Sequence, residues 1–317
     1  MSLESINKVL AGGNYSKLLC YSVKEVDGAF ELCVEAHDSK KDVWKRADPW
    51  GFAAFHHASN DLKKLRTLRF AMRTPQKNKG EEQHYESFKR RLSYLAEINK
   101  RELSIALSVG GKEEGLYTMA KLAERPKNEV LRDKIVPRKN YKLSGRKEKD
   151  LQAFLIGMNC PEDIKKEKPT NKRLALFGED FVDNQNLRVE REFPTGVFDN
   201  VVSKETRILP AEYVDFVTIN KHGEIAIIEL KVNDNQLEVI AQLLNYILFF
   251  YSYITNKNLI SILEKHLECE PANVDITAYL VSNVFHPRLD EIWPYYFKNE
   301  PFSMPNGRHM KIKIQQV

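Results

Sequence analysis

The sequence predicts an α/β fold in two parts, from its length, its apolar content and the order of its periodic segments. The chain has 317 residues, which is typical of about two domains. Apolar residues make up 42% of it, enough to bury sizeable cores. In the second half, three strand-like segments lie between helix-like ones, an order typical of a compact α/β domain. We therefore expect a C-terminal mixed sheet flanked by helices and an N-terminal α+β domain.

The elements of the second half are predicted from the spacing of their apolar residues. Helices are expected in KDLQAFLIGM (149–158), in NKRLALFGEDFVDNQ (171–185) and at about residues 236–254. Strands are expected in LRVEREF, EYVDFVTI, EIAIIELKV, ITAYLVSNV and KIKIQQV. The resulting order of helix, three strands, helix and strand (αβββαβ) defines the predicted core.

The first half mixes strand and helix patterns. Asp27-Gly28 lies between two apolar-rich runs and predicts a β-hairpin, because Asp-Gly suits a tight two-residue turn. Helical periodicity follows over residues 48–73. A long amphipathic helix is expected within residues 81–107.

Residues 136–150 form the predicted linker, because they are polar, strongly basic and contain proline and glycine. We place the domain boundary within them, which gives domains 1–145 and 146–317. The net charge is +11 over residues 61–150 and −5 over residues 151–317, although the whole chain carries only +5. Such a basic region favours contact with a nucleic-acid backbone. Solvated helix faces are the alternative, and basicity alone does not exclude them.

The composition argues against several other classes of protein. No apolar run reaches the eighteen or so residues of a membrane-spanning helix, so we expect no membrane partner. The N-terminal MSLESINKVL lacks the basic and apolar regions of a signal peptide, so a cytoplasmic location is expected. The four cysteines form neither a CxxC motif nor a Cys/His cluster, which argues against a zinc site.

The most informative segment is the predicted hairpin EYVDFVTINKHGEIAIIELKV. Gly223 suits the left-handed position that closes a three-residue hairpin loop. This loop sets a register in which Asp215 lies opposite Glu229, with Cβ atoms roughly 5 Å apart. A four-residue loop would shift the register by one and send the two carboxylates to opposite faces.

Two carboxylates side by side repel each other unless a proton or a cation lies between them. Mg²⁺ is commonly held by one or two carboxylates with waters and phosphates, so Asp215 and Glu229 are candidate metal ligands. The backbone carbonyl of Leu230 is a further candidate. Lys231 shares a face with Glu229, because side chains alternate along a strand, and its ammonium could orient water or stabilise phosphate charge. The alternative is an ordinary surface ion pair.

The helix after the hairpin carries polar side chains within the apolar run VIAQLLNYILFF. Gln242 and Tyr246 are four residues apart and therefore share one face of that helix. The amide of Gln242 could hydrogen-bond a metal-bound water or the substrate. The alternative is a core amide that bonds to the backbone.

These segments resemble the PD-(D/E)XK nuclease superfamily over about residues 150–285. Asp215 matches the first acid of the motif, and Glu229-Leu230-Lys231 matches the (D/E)XK element. Gln242 and Tyr246 are similar to the QxxxY motif of the RecB-type branch. The layout is also similar to the catalytic domain of NucS mismatch endonucleases. The resemblance implies a restriction-endonuclease-like core.

The resemblance also implies a further acid on the helix before the sheet, for which Glu179 is the best match and Asp180 the second. It implies Mg²⁺- or Mn²⁺-dependent hydrolysis of phosphodiesters, with DNA the usual substrate. An endonuclease of the restriction, repair or phage-defence type is expected, with DNA gripped by the basic region, and we allow for a homodimer. The alternatives are a non-catalytic or regulatory nucleic-acid-binding protein that retains the fold, and an RNA-directed nuclease.

Overall fold

The computed structural model describes residues 2–12, 17–36, 43–77, 79–125, 129–132, 145–156, 171–181, 188–210, 212–267, 270, 275–297, 302–303 and 307–316. Most of the predicted linker at residues 136–150 lies outside these ranges.

The chain divides into two compact units, and each unit is discontinuous in sequence. The first comprises Met1–Glu124, Gln236–Leu248 and His286–Asn299, and the second comprises Arg125–Asn235, Phe249–Phe285 and Glu300–Val317. The predicted domains, 1–145 and 146–317, assumed a single cut. In the structure two later segments belong to the N-terminal unit, a long-range association that no linker composition encodes.

In chain order, the helices and strands of the first half are α1 (Leu3–Gly12), β1 (Leu19–Val26), β2 (Ala29–Ala36), α2 (Val43–Asp61), β3 (Leu65–Met72), α3 (Lys79–Asn99), β4 (Ser104–Val109), β5 (Lys112–Glu114), α4 (Met119–Ala123) and β6 (Glu129–Leu131). Those of the second half are α5 (Lys147–Leu155), two 3₁₀ helices (Asn171–Phe177 and Glu179–Phe181), β7 (Glu190–Pro194), β8 (Val197–Asp199), β9 (Tyr213–Ile219), β10 (Ile225–Lys231), α6 (Val239–Tyr253), α7 (Lys257–Leu267), β11 (Ile276–Ser282), α8 (Leu289–Tyr296), β12 (Phe302–Ser303) and β13 (His309–Gln316).

The first unit contains a mixed sheet in the order β1-β2-β3-β4-β5. Strands β2, β3 and β4 run parallel, and antiparallel hairpins add β1 and β5 at the edges. Helices α2 and α3 make the crossovers that parallel neighbours require. The predicted hairpin is confirmed, because Asp27 and Gly28 both have positive φ, 50° and 76°, as its tight turn demands.

Two helix predictions in this unit extend too far. The helical reading of residues 48–73 is wrong beyond Asp61, because Leu65–Met72 forms β3 with alternate residues buried. The helix expected within residues 81–107 ends at Asn99, and Ser104–Val109 forms β4. Both strands pair with neighbours on two sides, and this tertiary pairing outweighs the local helical spacing.

The second unit contains a mixed sheet in the order β12-β13-β11-β10-β9-β7. Strands β10, β11 and β13 run parallel, and the remaining neighbours are antiparallel. Along the chain, the predicted order of helix, three strands, helix and strand is confirmed by α5, β7, β9, β10, α6 and β11, with the short β8 inserted and paired with β6 and with a second helix, α7, before β11. Residues 239–248 of α6 belong to the first unit. The α/β class, with mixed sheets flanked by helices, is therefore confirmed.

The register of the β9–β10 hairpin is confirmed by its ladder. The pairs run from Ile225 opposite Ile219 to Ile228 opposite Phe216. Gly223 has φ 76°, the left-handed conformation predicted for the loop. Continued one step past the last paired residues, the same register places Asp215 opposite Glu229, just beyond the end of the ladder.

The segment before the sheet is not one continuous helix as predicted. Two short 3₁₀ helices flank Gly178, whose φ of 116° is incompatible with an α-helix. Residues 182–185 of the predicted helix lie outside the described residues.

Helix α6 confirms the long apolar helix expected at about residues 236–254, since it spans Val239–Tyr253. Its fifteen residues fall short of the roughly twenty that cross a bilayer. In the described part of the chain, no helix combines the length and apolar character that a membrane span requires.

Candidate functional site

Asp215, near the start of β9, is held by two donors. Its Oδ1 accepts a hydrogen bond from Gln152 Nε2, and its Oδ2 accepts one from the backbone N–H of Leu230, both at 2.7 Å. The residue is only 8% exposed. Burial raises the pKa of Asp215 to about 6, although the charge of Lys231 and the N–H of Leu230 oppose the shift.

Glu229 is more deeply buried, at 1% exposure, and within the described part of the chain a hydrogen bond reaches one of its two oxygens. Oε1 accepts from Lys231 Nζ at 2.5 Å. Oε2 has no hydrogen-bond partner among the described residues. Burial and then the charge of Asp215 raise the pKa of Glu229 well above its usual 4.5. The Glu229 carboxyl group is therefore surrounded by less positive charge than its ionised form needs.

Lys231 is the cation of the cluster. Its Nζ contacts Glu229 Oε1 and also lies 3.7 Å from Glu148 Oε2, on α5. Burial lowers the pKa of the Lys231 ammonium, but the charges of Glu229 and Asp215 outweigh burial and raise the pKa overall. The lysine therefore stays charged, in contact with Glu229 and near Glu148, and the charge of Asp215 also favours its protonated form.

The cluster fits a hard divalent cation in one binding mode. Among the described residues, no group of three or more His, Cys, Asp or Glu side chains is arranged to hold a metal. Mg²⁺, however, is commonly bound by one or two carboxylates completed by waters and phosphate oxygens. Asp215 and Glu229 supply two carboxylates, and Glu229 Oε2 is a buried acceptor that has no donor among the described residues.

The Leu230 side chain is buried in an apolar cluster with Phe216 and Tyr279, so it faces away from Glu229 and Lys231, as predicted.

Gln242 Nε2 donates to Tyr246 Oη at 2.7 Å, which confirms that the two side chains share one face of α6. Both belong to the first unit, whereas the carboxylates belong to the second.

The structure does not bring Glu179 to the carboxylate pair. Its side chain is 95% exposed and lies 4.0 Å from Lys221, in the loop of the β9–β10 hairpin. Asp180 also contacts Lys221, and it contacts His222 in the same loop. The loop is at the opposite end of β10 from Glu229. The choice of Glu179 depended on one continuous helix, and the break at Gly178 removes that basis.

Sequence reasoning missed Glu148 and Gln152, which α5 brings to the site. They are four residues apart and lie on one face of the helix, so Glu148 reaches Lys231 and Gln152 reaches Asp215. The predicted helix began at residue 149, just beyond Glu148. The available signal was this acid and amide at helical spacing on the helix that precedes the sheet.

The basic region is partly neutralised within the protein. Arg91 is buried and makes a two-pronged ion pair with Asp48, so it supports the core of the first unit. Further cations of the region pair with neighbouring acids: Arg69 with Glu31 and Glu113, Arg73 with Glu81, Lys89 with Glu114, Lys100 with Glu97 and Lys121 with Glu124. Other basic side chains are exposed: Lys63, Lys64, Lys77, Arg101 and Lys112.

No protein-family model matches the chain, and no curated protein matches its sequence.

Proposed function

We propose that the protein is a metal-dependent deoxyribonuclease, an endonuclease that hydrolyses phosphodiester bonds in DNA. One observation carries the proposal. Asp215, Glu229 and Lys231 converge on a buried spot where a carboxylate oxygen has no donor among the described residues. Like charges held together out of water are costly, and perturbed carboxyl pKa values of this kind are typical of functional sites.

Several groups of the chain would each contribute to hydrolysis. Asp215 and Glu229 would hold Mg²⁺ or Mn²⁺, with the Leu230 carbonyl as a further candidate ligand. A bound divalent ion polarises the phosphate and makes water a better nucleophile. Lys231 would stabilise charge on the phosphate oxygens, where a fixed ammonium is most effective. Hydrolysis forms one bond from a water oxygen to phosphorus and breaks one ester bond, and the leaving oxygen takes up a proton.

The PD-(D/E)XK resemblance supports the same assignment through a second element. Gln242 and Tyr246 form the hydrogen-bonded pair that a QxxxY motif would present. We propose that Gln242 assists substrate or water binding. The exposed cations of residues 61–150 would bind the DNA backbone without regard to sequence, with an affinity that falls as salt rises.

A cleavage panel tests the proposal. Purified protein is incubated with plasmid, linear, single-stranded and branched DNA and with RNA, each with Mg²⁺, with Mn²⁺ and with chelator. Cleavage of DNA that needs the metal and disappears in Lys231→Met is the expected result. Cleavage of RNA alone would favour the RNA-directed alternative.

A second candidate is a regulatory nucleic-acid-binding protein that does no chemistry. The ion pair between Lys231 and Glu229 favours it, because this ammonium already offsets part of the charge that a metal would offset. DNA binding without cleavage, together with no heat of Mn²⁺ binding by calorimetry, would support this candidate over the nuclease.

A further inference from the structure

Gln152 is a buried amide whose orientation is dictated by its partner. It is 3% exposed, and its Nε2 donates to Asp215 Oδ1 at 2.7 Å. An ionised carboxylate only accepts hydrogen bonds, so the amide nitrogen must face Asp215. Together with the backbone N–H of Leu230, Gln152 occupies one position on each oxygen of Asp215.

The amide oxygen of Gln152 differs from its nitrogen in its surroundings. Its Oε1 is buried with no hydrogen-bond partner in the part of the chain that the structure describes, and the same holds for Glu229 Oε2. Buried acceptors without donors are costly. A hydrated cation at this cluster, as the proposed function requires, would supply charge and water protons to such acceptors.

We propose that Gln152 is a positioning residue, which fixes the Asp215 carboxylate in the direction needed to ligate the divalent ion. The inference rests on the proposed metal-dependent function, and it adds a residue to it. Each Asp215 oxygen has further acceptor capacity beyond its one hydrogen bond, so Gln152 and Leu230 orient the ligand without blocking it.

Calorimetric titration of the metal-free full chain with Mn²⁺ tests the inference without measuring cleavage. Gln152→Met keeps the length of the side chain but removes the donor. We expect it to weaken Mn²⁺ binding about 10- to 100-fold, the usual effect of losing a partner that orients a metal ligand. Lys149→Met, an exposed substitution on the same helix, is the matched control and should bind Mn²⁺ like the wild type.

A second variant separates the donor from simple packing. Gln152→Ala leaves room for a water that can donate to Asp215 Oδ1 in place of the amide. If the donor matters, Gln152→Ala binds Mn²⁺ more tightly than Gln152→Met. If only packing matters, the order reverses, because alanine leaves a cavity and methionine fills it.

The outcomes also separate this inference from the proposed nuclease function. Equal Mn²⁺ affinity in the wild type and in folded Gln152→Met, or the reversed order of the two variants, overturns the role of Gln152 and leaves the nuclease proposal standing. Weakened binding in Gln152→Met without DNA cleavage by the wild type supports the role and overturns the nuclease. A wild type that binds no Mn²⁺ overturns both.

Discussion

The two ends of the β9–β10 hairpin each carry a cluster of buried polar groups, but the clusters balance their charges differently. At the loop end, Glu224 accepts from Lys311 Nζ, Asn220 Nδ2 and Thr277 Oγ1 at 2.5–2.8 Å. At the other end, Glu229 accepts from Lys231 Nζ, Asp215 accepts from Gln152 and from the N–H of Leu230, and one Glu229 oxygen has no donor among the described residues.

The pKa directions follow from this difference in donors. Burial raises the pKa of Glu224, but its hydrogen bonds from Lys311, Thr277 and Asn220 outweigh burial and lower the pKa overall. The pKa values of Asp215 and Glu229 are raised. The two ends therefore give opposite results, because Glu224 is less deeply enclosed and receives three donors, whereas Asp215 and Glu229 are more deeply enclosed and lie beside each other. The carboxylate at the loop end is therefore balanced by donors, whereas the two carboxyl groups at the other end receive less positive charge than they need when ionised.

The largest expected effect is the loss of activity in Glu229→Gln. We expect DNA cleavage to fall at least about 1000-fold, which corresponds to about 4 kcal/mol in the activation free energy. The free energy of unfolding of the metal-free protein should be unchanged or higher, because a neutral amide removes the repulsion with Asp215. Cleavage rates and chemical denaturation measure the two quantities. Undiminished cleavage by Glu229→Gln would remove the site assignment.

The stability contributed by Asp215 and the stability contributed by Glu224 should change with pH in opposite directions. The pKa of Asp215 is about 6 in the folded protein against 3.8 ordinarily, so the folded state holds more protons than the unfolded state between these values. This contribution to stability is full below about pH 4 and is lost as pH rises through 6, by up to about 3 kcal/mol. Compared with wild type, metal-free Asp215→Asn should therefore gain relative stability from pH 4 to pH 7. Parallel stability curves for the two proteins would contradict the raised pKa.

Glu224, at the loop end of the hairpin, should show the opposite dependence of stability on pH. Glu224→Gln should cost about 2 kcal/mol at pH 7, because a charged, fully bonded acceptor is lost. The pKa of Glu224 is lowered, so its contribution is present above its unfolded pKa and disappears as pH falls. Cleavage per folded molecule should be unchanged. A strong loss of cleavage in a well-folded Glu224→Gln protein would break the proposed separation of roles.

The smallest effects are expected from two glutamates: Glu148, which sequence reasoning missed, and Glu179, which it named as the further acid. Glu148→Gln should lower cleavage about tenfold, because Glu148 contacts the Lys231 ammonium. Glu179→Gln should change neither cleavage nor stability by more than about 0.5 kcal/mol, since that side chain is exposed. The DNA cleavage rates of the two variants are compared at saturating Mg²⁺. If the Glu179→Gln protein were inactive, Glu179 would again be the preferred candidate for the further acid, as the sequence predicts.

The sequence by itself determined the hairpin and its register. Side chains alternate with a period of two along a strand, and Gly223 sets the loop length, so the position of Asp215 relative to Glu229 is a local consequence. The same local reasoning placed Gln242 and Tyr246 on one helical face.

Tertiary structure alone decided the remaining features. Leu65–Met72 and Ser104–Val109 are strands because they pair with neighbours that are distant in sequence. Glu148 and Gln152 reach the site because α5 packs beside strands more than fifty residues away in the chain. The charge shortage at Glu229 depends on burial and on counting donors across the fold, and neither quantity can be read from spacing along the chain.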